Sequence, residues 1–255
     1  MAETASMVTM HPLMHVVSAC VREPSVPFSI PIPMTTSPSA SLPRRRVSGF
    51  VCALLACAFA TPALAQTAVP PVVLVVGDSI SAEYGLPRGS GWVSLLQKQL
   101  DADKIKAKVI NASISGDTTA GGRARLPQLL KTHQPKVVLL ELGANDALRG
   151  LPLAQTQSNL TTMTQLAKKS GAKVLLLGMQ VPPNYGASYT RQFAQVFTDV
   201  GKVESVAVLP FLLKGVADAP NALQYFQSDR IHPNARAQAT IAGNVLPELR
   251  KLLPK

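Results

Sequence analysis

Five short apolar runs recur along this chain at a spacing of roughly 30 to 37 residues, the length of one strand–helix–strand unit. They lie at 72–76, 107–110, 137–140, 173–177 and 206–209. Each is continuous rather than alternating, which is how strands read when both faces of a parallel sheet are covered. Between them apolar residues recur with a helical period. Trp92, Leu95, Leu96 and Leu100 share one stripe of a helix predicted over 92–100, and 156–169 and 191–203 read alike. A last helix is predicted over 233–252, with Pro233 at its first position. Strand and helix alternate without a repeat or an internal linker, which predicts a single three-layer α/β/α domain around a mainly parallel five-stranded sheet.

The first 65 residues are of another kind. Residues 1–43 are rich in Pro, Ser, Thr and Met and carry no clear period. Arg44, Arg45 and Arg46 then precede an apolar run over 47–60, which ends in Thr61-Pro62-Ala63-Leu64-Ala65. A basic region, a short apolar segment and a small-x-small end are the parts of a secretory signal peptide, so cleavage is expected after Ala65, with the domain over 66–255. The stretch ahead of the arginines exceeds an ordinary basic region, which makes Met34 a candidate start. Leu54-Leu55-Ala56-Cys57 offers a rival, a lipoprotein processing site that leaves Cys57 lipidated. A buried N-terminal helix is the plainest alternative. No apolar run reaches the ~18–20 residues that a membrane-spanning helix needs, so stable membrane insertion of the mature chain is not expected. The expected location is the periplasm or the exterior.

Cleavage after Ala65 removes Cys20, Cys52 and Cys57, all the cysteines of the chain. The mature domain is then without a disulfide, a thiol nucleophile or a thiolate metal site. The net charge of +11 falls to +9 without the four Arg and two Glu of residues 1–65. That charge is spread over single Lys and Arg residues, without basic runs or interleaved aromatics. It suits solubility and a mild pull toward anionic surfaces, and argues against nucleic-acid recognition. No protein partner is indicated.

In parallel sheets ligands bind beyond the carboxyl ends of the strands, so the residues just past each run are the place to search. After the first come Gly77-Asp78-Ser79-Ile80, and after the second Asn111-Ala112-Ser113-Ile114-Ser115-Gly116-Asp117. After the third comes Gly143-Ala144-Asn145-Asp146. A hydroxyl, a glycine turn and a carboxamide on one rim are parts of an acyl-transfer site. Of the four histidines, His11 and His15 precede the cleavage point, and His133 lies just before the third run at the amino end of the sheet, where a surface role is expected. His232 sits in Asp229-Arg230-Ile231-His232-Pro233. The proline steers the residue before it away from helical dihedrals, which sets His232 at a helix entrance with its ring free to project. Asp229 can fold back within the same turn, accept the Nδ1 proton and leave Nε2 as a base for Ser79. A nucleotide-binding role is disfavoured, because the first turn lacks both G-x-G-x-x-G and G-x-x-x-x-G-K-[ST].

These blocks resemble the GDSL, or SGNH, hydrolases. Gly77-Asp78-Ser79-Ile80 is similar to the first block of that family, Gly116 to the second, Gly143-Ala144-Asn145-Asp146 to the third and Asp229-x-x-His232 to the last, all in order from Val72 to the final helix. Ile80 stands where the family has Leu, and Ala144 where it has a second Gly; both keep the apolar or small character. Ser79-Ile80-Ser81-Ala82 and Asn145-Asp146-Ala147-Leu148-Arg149-Gly150 resemble the bacterial multifunctional thioesterase/arylesterase/lysophospholipase branch. The resemblance implies a flavodoxin-like fold, Ser79 as nucleophile and His232 as base, oriented by Asp229. It also implies an oxyanion hole made of the backbone N–H groups of Ser79 and Gly116 and the side-chain amide of Asn145, with no metal or organic cofactor. In that branch the stretch at 147–152 forms a mobile loop over the substrate.

Each residue has a plainer reading beside it. Ser79 could cap a following helix, Gly116 could be only a turn glycine, and Asn145 could bond its own loop. Asp78, Asp117 and Asp146 read as loop-bracing carboxylates, with Asp78 the rival of Asp229 as partner of His232. Arg123 and Arg149 read as solvated, an anionic head group being their alternative contact. Leu148, Leu151 and Pro152, after the Asn145 loop, and Pro183, after the fourth run, are the candidate substrate-binding residues, with Gly150 a point of movement. The expected activity is a serine esterase for short-to-medium acyl esters, thioesters and lysophospholipids, small-molecule substrates all. A carbohydrate O-deacetylase on the same scaffold is the alternative enzyme. A non-catalytic lipid- or glycan-binding protein is the alternative outside enzymes.

Overall fold

Five runs that are apolar on both sides need cover on both faces, and one sheet provides it. The structure, a computed structural model, describes residues 69–254; the segment expected to be cleaved, with Cys57 and Ala65, lies outside them. Strands β1 (Val72–Gly77), β2 (Lys108–Asn111), β3 (Val137–Glu141), β4 (Lys173–Leu177) and β5 (Ala207–Leu209) are all parallel, in the order β2-β1-β3-β4-β5. Residues 73–76 of β1 and 137–140 of β3 are wholly buried. Val75 sits opposite Leu139 and Gly77 opposite Glu141, so the carboxyl ends of β1 and β3 are level.

The helices among the described residues are α1 (Trp92–Ala102), α2 (Thr119–His133), the short α3 (Ala144–Leu148), α4 (Leu153–Lys169), α5 (Ala187–Glu204) and α6 (Gln238–Leu252). The chain moves from β1 outward to β2, then back across β1 to β3 and onward to β4 and β5. Right-handed crossovers place α1 on one face and α2, α4 and α5 on the other. The packing agrees: α2 lies on α4 and α4 on α5, while α6 returns to α1. The direction of winding reverses between β1 and β3. In a doubly wound sheet the crevice opens at that point, and here it lies between the Ser79 turn and the Asn145 turn.

The structure differs from the local sequence reading at four places. Helix α2 was not foreseen, because Gly121, Gly122 and Pro127 all disfavour a helix interior. Thr118 caps it, accepting from the Gly121 N–H at 3.4 Å, and Gly122 leaves room for the Leu142 side chain, into which a Cβ there would run. The last helix begins at Gln238 instead of Pro233, which is bridged antiparallel to Phe226 while Asn234 caps a single 3-10 turn, Ala235–Ala237. Ser79 does not cap a helix: residues 79–85 form successive turns, with Ala82 N–H on the Asp78 carbonyl at 2.9 Å and Tyr84 N–H on the Ser79 carbonyl at 3.2 Å. Of the stretch at 147–152, Ala147 and Leu148 complete α3, and Ala147 is fully buried in the core, which leaves residues 149–152 as the loop proper.

Candidate active site

His232 stands at the tip of a narrow hairpin. Phe226 pairs with Pro233, the Gln227 N–H donates to the His232 carbonyl at 2.8 Å, and the Arg230 N–H donates to the Gln227 carbonyl at 3.0 Å. Arg230 takes up the reversal with a left-handed φ of 58°. Within this tip Asp229 Oδ1 accepts the N–H groups of Ile231 at 2.9 Å and His232 at 3.0 Å, and Oδ2 lies 2.7 Å from His232 Nδ1. Burial pushes the Asp229 carboxyl up, but the backbone N–H groups of His232 and Ile231 and the adjoining imidazole outweigh it and hold the carboxyl at about 2. The other ring nitrogen, Nε2, lies 2.9 Å from Ser79 Oγ. Tyr84 tilts over the imidazole, with ring centroids 4.3 Å apart.

Hydrogen-bond donors lie in the turns that follow β1, β2 and β3. Gly116 adopts φ 78°, and its carbonyl is held by Arg149 Nη2 at 2.8 Å. Among the described residues the backbone N–H groups of Ser79 and Gly116 meet no acceptor. Asn145, in the first turn of α3, gives one side-chain N–H to Asp78 Oδ2 at 3.1 Å, which leaves its second N–H free. The amide therefore bonds the neighbouring turn and not its own loop.

The three bracing carboxylates are in place. Asp146, a buried residue of α3, accepts the Thr119 N–H at 2.9 Å and the Thr119 hydroxyl at the start of α2, where a carboxylate also suits the helix dipole. Asp117 accepts from Arg125 Nε at 2.8 Å, and the same guanidinium reaches the carbonyls of Ala112 and Gly77, joining the turns after β1 and β2. Asp78 Oδ1 accepts the Ile80 N–H at 3.0 Å; with Oδ2 on Asn145 it is not the partner of His232. Burial lifts the Asp78 carboxyl to about 6, against the pull of its Ile80, Glu141 and Asn145 hydrogen bonds and of His232.

Sequence reasoning missed what lies under that turn. Glu141, the last residue of β3, is fully buried, and its Oε2 accepts the Ser81 hydroxyl at 2.6 Å and the Asp78 N–H at 3.2 Å. A charged residue closing a wholly apolar strand was the signal available. Arg149, expected to be solvated, is exposed yet bonded to Gly116, whereas Arg123 is exposed. His133 ends α2 at the amino end of the sheet, away from this rim. Leu148 ends α3, Leu151 is 37% exposed and Pro152 caps α4. Pro183 opens a 3-10 turn, Pro183–Tyr185, and its side chain is not among those described.

The family profile of the GDSL-like Lipase/Acylhydrolase family matches residues 75–240, from within β1 to α6. The chain belongs to that family. By this membership it is an acyl hydrolase, and its fold is that of the SGNH hydrolases. A Pseudomonas aeruginosa protein named esterase TesA is 50% identical over 200 residues, 78% of this chain and 98% of that protein. A Vibrio mimicus arylesterase is 45% identical over 71% of this chain and 89% of its own length. The Escherichia coli K12 thioesterase 1/protease 1/lysophospholipase L1 is 41% identical over 74% and 88%. A crystal structure of TesA superposes with a TM-score of 0.69 at 51% identity, over 71% of this chain and 99% of that one. The four motif blocks thus lie in the matched span, and the rim that carries them belongs to a GDSL-type domain.

Proposed function

We propose that this chain hydrolyses short-to-medium acyl esters, aryl esters and thioesters among them, through an acyl intermediate on Ser79. The carrying observation is the position of His232, between Ser79 Oγ at 2.9 Å and Asp229 Oδ2 at 2.7 Å. A serine hydroxyl is a weak nucleophile until a base takes its proton. Nε2 accepts that proton as Oγ attacks the carbonyl carbon, and Asp229 holds the Nδ1 proton, so the ring stays in the needed tautomer and the imidazolium is stabilised. The negative charge that develops on the carbonyl oxygen is met by the N–H groups of Ser79 and Gly116 and the free N–H of Asn145. Collapse expels the alcohol or thiol with the proton from His232. Water then attacks the acyl-serine, gives its proton to His232, and the acid leaves as Ser79 recovers its own.

The surroundings favour an apolar acyl group. Ile114, Leu151, Tyr185 and Ile231 expose 53%, 37%, 39% and 47% of their surface on turns and loops outside the sheet, and the Tyr185 hydroxyl reaches the Leu148 carbonyl at 3.5 Å. Lysophospholipids belong to the same substrate class, a reading supported by the lysophospholipase name of the E. coli relative. We place the mature chain, cut after Ala65, in the periplasm or outside the cell, where lysolipids and esters are the accessible substrates.

A fluorophosphonate decides the chemistry. One phosphonyl adduct on Ser79, with loss of p-nitrophenyl ester hydrolysis, is expected; no adduct and no turnover would sink the enzyme reading. A panel of acyl chains from two to sixteen carbons, with acetylated sugars beside it, then separates the esterase from a carbohydrate deacetylase.

A further inference from the structure

The buried carboxyl of Glu141 has no part in the proton path between Asp229, His232 and Ser79, yet the residues it bonds, Asp78 and Ser81, flank Ser79 in the chain. Its Oε2 takes two donors, the Ser81 hydroxyl at 2.6 Å and the Asp78 N–H at 3.2 Å, on either side of the nucleophile in sequence. Its Oε1 is equally buried and receives no donor among the described residues. Gly77 is kept free of a side chain at this spot: a Cβ there would stand 2.6 Å from Glu141 Oε2 and 2.7 Å from Ser81 Oγ. The Asp78 carboxyl lies in hydrogen-bonding contact with that of Glu141, and both are almost wholly buried. The groups that face the pair are Ser81 and, from the hairpin, His232, with the guanidinium of Arg125 3.4 Å from the Gly77 carbonyl.

Two carboxyl groups in contact in a site closed to water cannot both ionise, so one holds a proton and offers it to the other. The choice between them is set by their partners. Asp78 receives one N–H on each oxygen, from Ile80 and from Asn145, which is the demand of a carboxylate. Glu141 has an oxygen with nothing to accept, which is the place for a hydroxyl hydrogen. Burial pushes the Glu141 carboxyl well above the usual carboxylate range, and the neighbouring Asp78 charge pushes it the same way.

We infer that Glu141 and Asp78 share one proton, held on Glu141, and that the pair so formed is the positioning device that aims the Asn145 amide at the oxyanion. The chain of contacts runs from Glu141 to Asp78 to Asn145, so the acceptor that fixes one N–H of Asn145 is itself fixed from below. The shared proton also limits the pair to a single negative charge. Two charges there would oppose the oxyanion that the same amide has to stabilise. Ser81 and Gly77 serve the same end, the first by filling Oε2 and the second by leaving room for it.

This inference rests on the acyl-serine reading, and the test separates the two. The full-length mature protein is compared with Glu141→Gln and Glu141→Ala, using p-nitrophenyl butyrate and fluorophosphonate labelling of Ser79. Glutamine keeps a donor where the acid hydroxyl was, so Glu141→Gln is expected to hold kcat within about threefold. Glu141→Ala is expected to lose about 10–100-fold in kcat with KM little changed, part of what a lost oxyanion donor costs. The infrared carbonyl band of a protonated carboxylic acid is expected in the wild type at pH 8 and absent from Glu141→Gln. A wild type without that band, a band that persists in Glu141→Gln, or a folded Glu141→Gln as slow as Glu141→Ala would each overturn the inference. Should Glu141→Ala not fold, the band and the glutamine variant decide alone. A wild type that neither labels nor turns over would instead overturn the esterase reading itself.

Discussion

Gln227 donates from Nε2 to the Tyr84 carbonyl at 2.8 Å, and so ties the hairpin that carries His232 to the turn that carries Ser79. Gly85 makes room for it: its φ is 68°, and a Cβ there would run into the Gln227 amide. The contact between His232 and Ser79 spans 153 residues of chain and lies outside the sheet, so no strand pairing holds it. A side-chain strut holds it instead.

Removing the strut by Gln227→Ala is therefore expected to slow turnover more than it weakens the fold. A misplacement of about 1 Å at a reacting group costs up to ~10²-fold in rate, while one lost hydrogen bond costs about 1 kcal/mol of stability. Parallel measurement of kcat and urea unfolding checks this, and an unchanged kcat would mean that the hairpin holds its own shape.

Within the proposed catalytic set, Ser79→Ala and His232→Ala should each lower kcat by about 10⁶-fold, since members acting as a unit fail together. Asp229→Asn keeps the shape but offers a donor to Nδ1, which turns the imidazole to the wrong tautomer; about 10⁴-fold is expected. A silent Asp229→Asn beside a lethal Asp78→Asn would reverse the assignment of the two aspartates.

Asn145→Ala should lower kcat by ~10²–10³-fold and leave KM nearly unchanged, because the free N–H acts on charge that exists only in the transition state. A matched rise in KM with kcat intact would move Asn145 from the oxyanion to ground-state binding.

The two carboxyl environments predict opposite slopes of stability with pH. Asp229 is held at about 2 when folded, against ~3.9 in an unfolded chain. Its contribution is present above ~3.9 and is lost as pH falls toward the folded value. Glu141 is raised on folding, so the folded protein keeps a proton that the unfolded chain gives up, and its effect on stability worsens as pH rises above ~4.3. Urea unfolding across pH should show Asp229→Asn with a shallower acid loss, and Glu141→Gln gaining relative to the wild type toward pH 8.

Two glycines should respond oppositely to alanine. At Gly178, just past β4, a Cβ would strike the backbone carbonyl of Pro210, and backbone cannot yield cheaply; a loss of about 1–3 kcal/mol is expected. Gly243 lies within α6 with open space about it, and alanine there should gain ~0.5–1 kcal/mol of helix stability. Thermal melts of the two variants make the comparison.

The strands could be read from the chain because each is a local run of residues whose burial on both faces leaves a continuous apolar signature. The same locality exposed the candidate residues next to strand ends: Ser79 after β1, Gly116 after β2 and Asn145 after β3, each within a few residues of its run. The Asp229–His232 pair was legible too, since the two partners lie three positions apart in one turn. Helix α2 was hidden, because Gly122 disfavours a helix alone and is explained only by the closeness of Leu142. So was the setting of Glu141, whose neighbours Asp78 and Ser81 lie 63 and 60 residues away in sequence. Strand order was equally beyond a local reading, for nothing within a single run says which run will lie beside it. It is the placement of β1 next to β3 that sets Ser79 beside Asn145, and the fold of the last segment over that edge that delivers His232. Apolar period and turn chemistry act over a few residues and are written in the chain; pairing, close approach and the protonation of a buried acid depend on what arrives from far along it.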